Sequence, residues 1–180
     1  MSLWKWLGLA PDRTAPDAGD TATVRRIVAE LEAIEPARAR YLAAFAYVLG
    51  RVAHVDLHIS DEETRTLVDI VQVLGHLPEA QAVLVVEIAK HQVRLFGGTE
   101  NYLVTREFKE IATPEQRLEL LDCVFAVSAA DRSITALEDS QVRQIAIELG
   151  LSHSQYVEAR SAYLEHLEVL KSFRTPREPE

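Results

Sequence analysis

One cysteine in 180 residues settles two questions at once. Cys123 has no partner for an intramolecular disulfide, and a zinc knuckle built on several thiolates cannot form. It stands in the apolar run Cys123–Val124–Phe125–Ala126–Val127, the setting of an inert core thiol in a reducing compartment. Positive charge is also scarce. Against 28 Asp and Glu there are 19 Lys and Arg, a formal net charge of −9, and a surface of that sign repels the phosphates of nucleic acid. Long hydrophobic runs are missing too. Residues 41–50, 82–86 and 123–130 are the longest apolar stretches, all well below the roughly 18 residues that span a bilayer. The expectation is a soluble, cytoplasmic protein.

Catalytic signatures are equally sparse. Gly97–Gly98 is an isolated pair suited to a helix end rather than to a phosphate-cradling loop, and no Gly-x-Ser-x-Gly elbow occurs. No histidine has a glutamate three residues before it, which excludes the motif of carboxylate-bridged di-iron bundles. His54 and His58 are four apart near Asp61 and Glu62, a set able to hold zinc in a small metalloenzyme. Yet Val55 stands where the metalloprotease motif needs glutamate, so a solvated surface pair is the simpler reading. Glu87 and His91, at i,i+4 spacing, read as a structural surface pair. The chain is expected to be non-enzymatic.

What is present is helix. With 48% apolar residues the chain can bury an ordinary core. Val24, Ile27, Val28, Leu31 and Ile34 recur at helical spacing before Pro36 ends the segment. Seven more helices are expected over 37–55, 60–75, 78–98, 100–112, 113–130, 135–150 and 152–173. Their signals are Gly75 as a left-handed cap, Pro78 in a first turn, and Thr113–Pro114 as an N-cap with an N1 proline. No segment alternates as a half-buried strand does, so the fold class is all-α. Residues 1–20 are set apart as a short apolar piece and a Pro/Ala/Asp/Gly linker, 21–173 as the helical domain, and 174–180 as a frayed tail.

The sequence also repeats itself. Laid on each other at an offset of 75, residues 52–75 and 127–150 share Val52/Val127, Asp56/Asp131, Ile59/Ile134, Glu63/Glu138, Ile70/Ile145, Leu74/Leu149 and Gly75/Gly150. These identities fall on turn, cap and core positions, as two copies of one helix–turn–helix unit would keep them. Each turn reads Asp-x-x-Ile-Ser/Thr-x-x-Glu. Ser60 with Glu63 and Thr135 with Glu138 have capping-box spacing, which accounts for both pairs without a ligand. Ile59 and Ile134, just before the caps, are placed to staple onto Thr64 and Asp139. Asp56 and Asp131 are left over, so a carboxylate site for a divalent cation stands beside the capping reading. An EF-hand is excluded: with Glu63 at loop position 12, Val52 and His54 take the first two ligand places and Leu57 the glycine place.

The stretch from Arg51 through Val-Ala-His54-Val-Asp56-Leu-His58-Ile59-Ser60 to Glu63, echoed from Val127 to Glu138, resembles the duplicated acidic turn of the tellurite-resistance TerB-like family. Its superfamily includes the N-terminal domain of DjlA-type co-chaperones. The likeness runs roughly from Thr23 to Leu170. It implies a helical bundle of two related halves, a bacterial source, protein partners in a stress-response or envelope-associated complex, and divalent metal held by Asp56, Glu63, Asp131 and Glu138. Leu57 and Arg132 stand where the family has glycine.

At the amino terminus Leu3, Trp4, Trp6, Leu7 and Ala10 share one side of a helical wheel, with Lys5 opposite. Such a segment suits peripheral contact with the inner face of a membrane. Docking on the protein's own bundle or on a second copy in an oligomer is the competing reading, with an unordered segment the third.

Overall fold

The computed structural model describes residues 18–52, 60–91, 101–130 and 133–167. Among them are eight α-helices: α1 Ala18–Glu32, α2 Pro36–Gly50, α3 Asp61–Leu74, α4 Glu79–Lys90, α5 Asn101–Ile111, α6 Pro114–Ser128, α7 Ala136–Glu148 and α8 His153–Ser161. No strand occurs among the described residues, and the all-α expectation is met.

Two helices form the centre because they are apolar almost all round. In α2 every residue from Tyr41 to Leu49 is buried, and in α6 Leu120, Leu121, Cys123, Val124, Phe125 and Val127 are. Burying each large side chain of this kind contributes about 1.5–3 kcal/mol. Helices α1, α4 and α5 pack on α2, helices α3, α7 and α8 pack on α6, and the two central helices touch each other. Phe108 of α5 joins Tyr41 and Phe45 of α2 at ring-centroid distances of 5.3 and 6.0 Å.

Helix starts follow local chemistry. Ser60, Thr113, Thr135 and Ser152 each close a capping box with Glu63, Gln116, Glu138 and Gln155. Hydroxyl and N3 side chain together satisfy amides that the first turn leaves unbonded. Glu35 does the same for α2, accepting from the amides of Ala37 and Arg38 ahead of Pro36.

Helix ends depart more from expectation. Gly75 is not the left-handed cap: its φ is −84°, and the left-handed residue is His76 at φ 50°. Glycine is needed at 75 for space, since a Cβ there would lie 2.6 Å from the Val71 carbonyl oxygen and 3.1 Å from Phe45 Cζ. Gly150 does adopt φ +71°. Helix α4 closes at His91, short of the expected Gly97–Gly98 pair, which lies outside the described residues. Helix α2 ends at Gly50, and α1 begins at Ala18, inside the stretch read as linker.

The largest difference is at the end, where α8 stops at Ser161 instead of running to 173. The chain then turns and lays Leu167 beside Ile134 in one isolated parallel bridge, with the Ile134 amide donating to the His166 carbonyl at 2.7 Å. Both residues are buried, so two apolar side chains gain a core position that a continued helix would forfeit. Ile134 is therefore held by Leu167, while Asp139, its expected staple partner, is engaged by Tyr156 and Arg160. Ile59 lies outside the described residues, as does 174–180. No helix among the described residues is long and apolar enough to cross a membrane.

Candidate functional site

The two capped turns are the natural starting point. Glu63 is exposed at the third position of α3, where its Oε2 accepts from the Ser60 amide and from the Ser60 hydroxyl, both at 2.8 Å. Those bonds, the amide's first, hold its carboxyl below the usual glutamate range. Glu138 occupies the matching place on α7, accepting from the Thr135 amide at 2.8 Å, but it is buried. Thus both glutamates do the structural work the capping reading assigned to them. Asp56, Asp131, His54 and His58, the other candidate ligands, lie outside the described residues. Among the described residues no group of three His, Cys, Asp or Glu side chains could hold a metal ion. Glu63 and Glu138 each commit a carboxylate oxygen to a cap.

Beside these turns lies a cluster that the residue pattern did not single out. Arg51 closes α2 and carries its side chain into the body, where only 7% of it and 5% of the Glu148 side chain are exposed. Its Nη1 donates to Glu148 Oε2 at 2.5 Å and to the Thr105 hydroxyl at 2.7 Å. Gln144 supports the same carboxylate at 3.1 Å, and Gln141 donates to the Arg51 carbonyl at 2.5 Å. A cation at a helix C-terminus also complements the helix dipole. Arg51 Nε is left buried with no hydrogen-bond partner, and so is Ser128 Oγ. These two orphan groups sit at the ends of α2 and α6, the helices that run into the two turns. The signal that could have revealed Arg51 is a charge one residue after the nine buried residues Tyr41–Leu49.

Two further polar clusters are structural. Asp139 receives two bonds from Arg160 at 2.9 Å and one from the Tyr156 hydroxyl at 2.7 Å, tying α7 to α8. Burial would raise the Asp139 carboxyl, but these bonds outweigh it and hold it below its ordinary value. Burial, then Asp139, pushes the Tyr156 hydroxyl up to about 12. Glu87 is taken by Arg26 of α1 at 2.7 Å. Cys123 is fully buried, 3.9 Å from the Ile70 carbonyl oxygen, and burial pushes its thiol far up, as an inert core residue requires.

A family model described as tellurite resistance protein TerB matches residues 41–161, more than half of the chain and the span that holds both turns and the Arg51 cluster. No curated protein and no solved structure matches the chain.

Proposed function

The chain belongs to the tellurite-resistance TerB family, and from that footing we propose that it is a non-enzymatic helical module that recruits protein partners in a bacterial stress-response or envelope-associated complex. The observation that carries this reading is apolar surface on two neighbouring helices. Tyr102 and Leu103 of α5 are 54% and 50% exposed, and Ile147 of α7 is 60% exposed, while α5 and α7 pack against each other. Exposed large apolar side chains on adjoining helices are what an association surface is built from. Arg51 ties the same two helices together, through Thr105 of α5 and Glu148 of α7. The test is comparative capture from native lysate of the source bacterium. A partner retained by the natural chain and lost by Leu103→Asp with Ile147→Asp supports the reading; identical captures from both chains, or none from either, reject it.

A second reading makes the acidic turns a divalent-metal sensor. It is favoured by Glu63, whose capping bonds keep it ionised and occupy one carboxylate oxygen only. Titration calorimetry of the full chain with calcium, manganese and zinc should then give heat that Glu63→Gln diminishes. Flat titrations with all three would dispose of it.

A further inference from the structure

Helices α3 and α7 carry matched residues 75 positions apart but are covered unequally. On α7 and its cap, Val142, Ile145 and Leu149 are fully buried. At the same places on α3, Leu67, Ile70 and Leu74 are only half-buried, and Val73, on the flank beside Ile70, is 65% exposed. Among the described residues the difference lies in the neighbouring helix. Helix α5 covers α7, with Thr105 reaching the Arg51–Glu148 pair and the Lys109 chain lying on Gly150. The helix 75 residues earlier, α1, packs instead on α2 and α4 and sends Arg26 to Glu87. One side of α3 is left as an apolar stripe, Leu67–Ile70–Val73–Leu74, flanked by Glu62, Glu63 and Asp69.

We propose that the stripe is the docking site of this chain's own segment Met1–Ala10, whose Leu3, Trp4, Trp6 and Leu7 fill it. Reach permits it. Arg26 pairs with Glu87 near the end of α4, while Arg38, at the start of α2, pairs with Gln81 near its beginning, so α1 runs antiparallel to α4. Its first residue, Ala18, therefore lies toward the Lys90 end of α4, and Lys90 bonds Thr64 in the first turns of α3 at 3.0 Å. Eight residue steps separate Ala10 from Ala18, enough for about 26–29 Å of extended chain. Helix α3, of 14 residues, is about 21 Å long. Charge agrees as well: Lys5 is the segment's one charged side chain, and it would meet an acidic rim. A membrane is the poorer occupant, because a lone lysine adds only about 1 kcal/mol at an anionic leaflet and the remainder of the chain is strongly acidic.

Trp4 and Trp6 are the only tryptophans in the sequence, so tryptophan emission reports on this segment alone. In dilute full-length protein without lipid, docking gives blue-shifted emission, weak quenching by acrylamide and no change on further dilution. Ile70→Asp, and separately Val73→Lys at a solvent-facing position, should shift emission to the red and raise quenching severalfold, with helical circular dichroism retained. Blue emission that neither variant alters overturns the proposal. So does red emission that turns blue only with phosphatidylglycerol vesicles, which assigns the segment to a membrane, or only at concentrations where sedimentation shows a dimer, which assigns it to a second copy.

Discussion

Arg51 and Glu148, 97 residues apart, meet in the interior with guanidinium and carboxylate at 2.5 Å and almost no exposure of either side chain. The pair joins the end of α2 to the end of α7, across α5. Removing one partner of such a pair strands a buried charge, and about 3–5 kcal/mol is the usual cost. Arg51→Met and Glu148→Gln should each lower the unfolding free energy read from a urea titration by that order. The double variant should cost much less than the sum, since no charge is then unpaired. Additive losses would show that the pair is not coupled.

Gly75 and Gly150 match in sequence but are glycine for different reasons. Gly75→Ala pushes a methyl against the Val71 carbonyl and Phe45, backbone and ring that cannot yield easily, and should cost about 1–3 kcal/mol as overpacking does. Gly150→Ala meets only the movable end of Lys109, so its cost is the left-handed backbone, about 1–2 kcal/mol. Lys109→Ala should leave the Gly150→Ala cost unchanged, whereas enlarging the pocket with Phe45→Leu should reduce that of Gly75→Ala. Denaturant titration of the paired variants decides.

Asp122 and Asp139 should act oppositely on stability as pH changes. The Asp122 carboxyl is raised by burial and then by Glu119 and Glu158, so its contribution is intact below the ordinary aspartate value and lost as pH rises through the higher native one. Asp122→Asn is expected to raise the melting temperature at pH 7, with the gain fading near pH 4. Asp139 is held low by Arg160 and Tyr156 against its burial, so its contribution exists above the ordinary value and is lost as pH falls through the lower native one. Asp139→Asn should lower the melting temperature at pH 7 and make less difference below pH 4. Calorimetric scans across that range read both.

The caps can be separated by burial. Thr135→Ala removes a half-buried hydroxyl and leaves the buried Glu138 amide unbonded, a loss of about 0.5–2 kcal/mol. Ser60→Ala acts in solvent and is better read by titration. The Glu63 carboxyl should move only part of the way back toward its ordinary value, because the residue 60 amide still donates to it. Carbon-detected NMR measures the shift; an unmoved Glu63 would mean the hydroxyl contributes nothing.

Much of this body was legible in the chain because helix starts are local. A hydroxyl, an acid or amide three residues on, and a proline in the first turn act within one turn of backbone, and Ser60, Thr113 and Thr135 behave accordingly. The burial of 41–49 was likewise written in an unbroken apolar run. The capping roles of Glu63 and Glu138 were readable for the same reason, whereas the cation reading depends on Asp56 and Asp131, outside the described residues.

Composition and short-range pattern alone therefore determined the all-α class, the existence of eight helical segments and the first-turn chemistry at Ser60, Thr113 and Thr135, since those depend on bonds between near neighbours. Tertiary structure decided what depends on distant partners. It chose Glu148 for Arg51, space rather than backbone freedom as the reason for Gly75, and Leu167 beside Ile134 in place of a longer last helix. It also left the α3 stripe half open while covering its counterpart on α7, because which helix lies over which face is set by packing across the whole body and by no local run of residues.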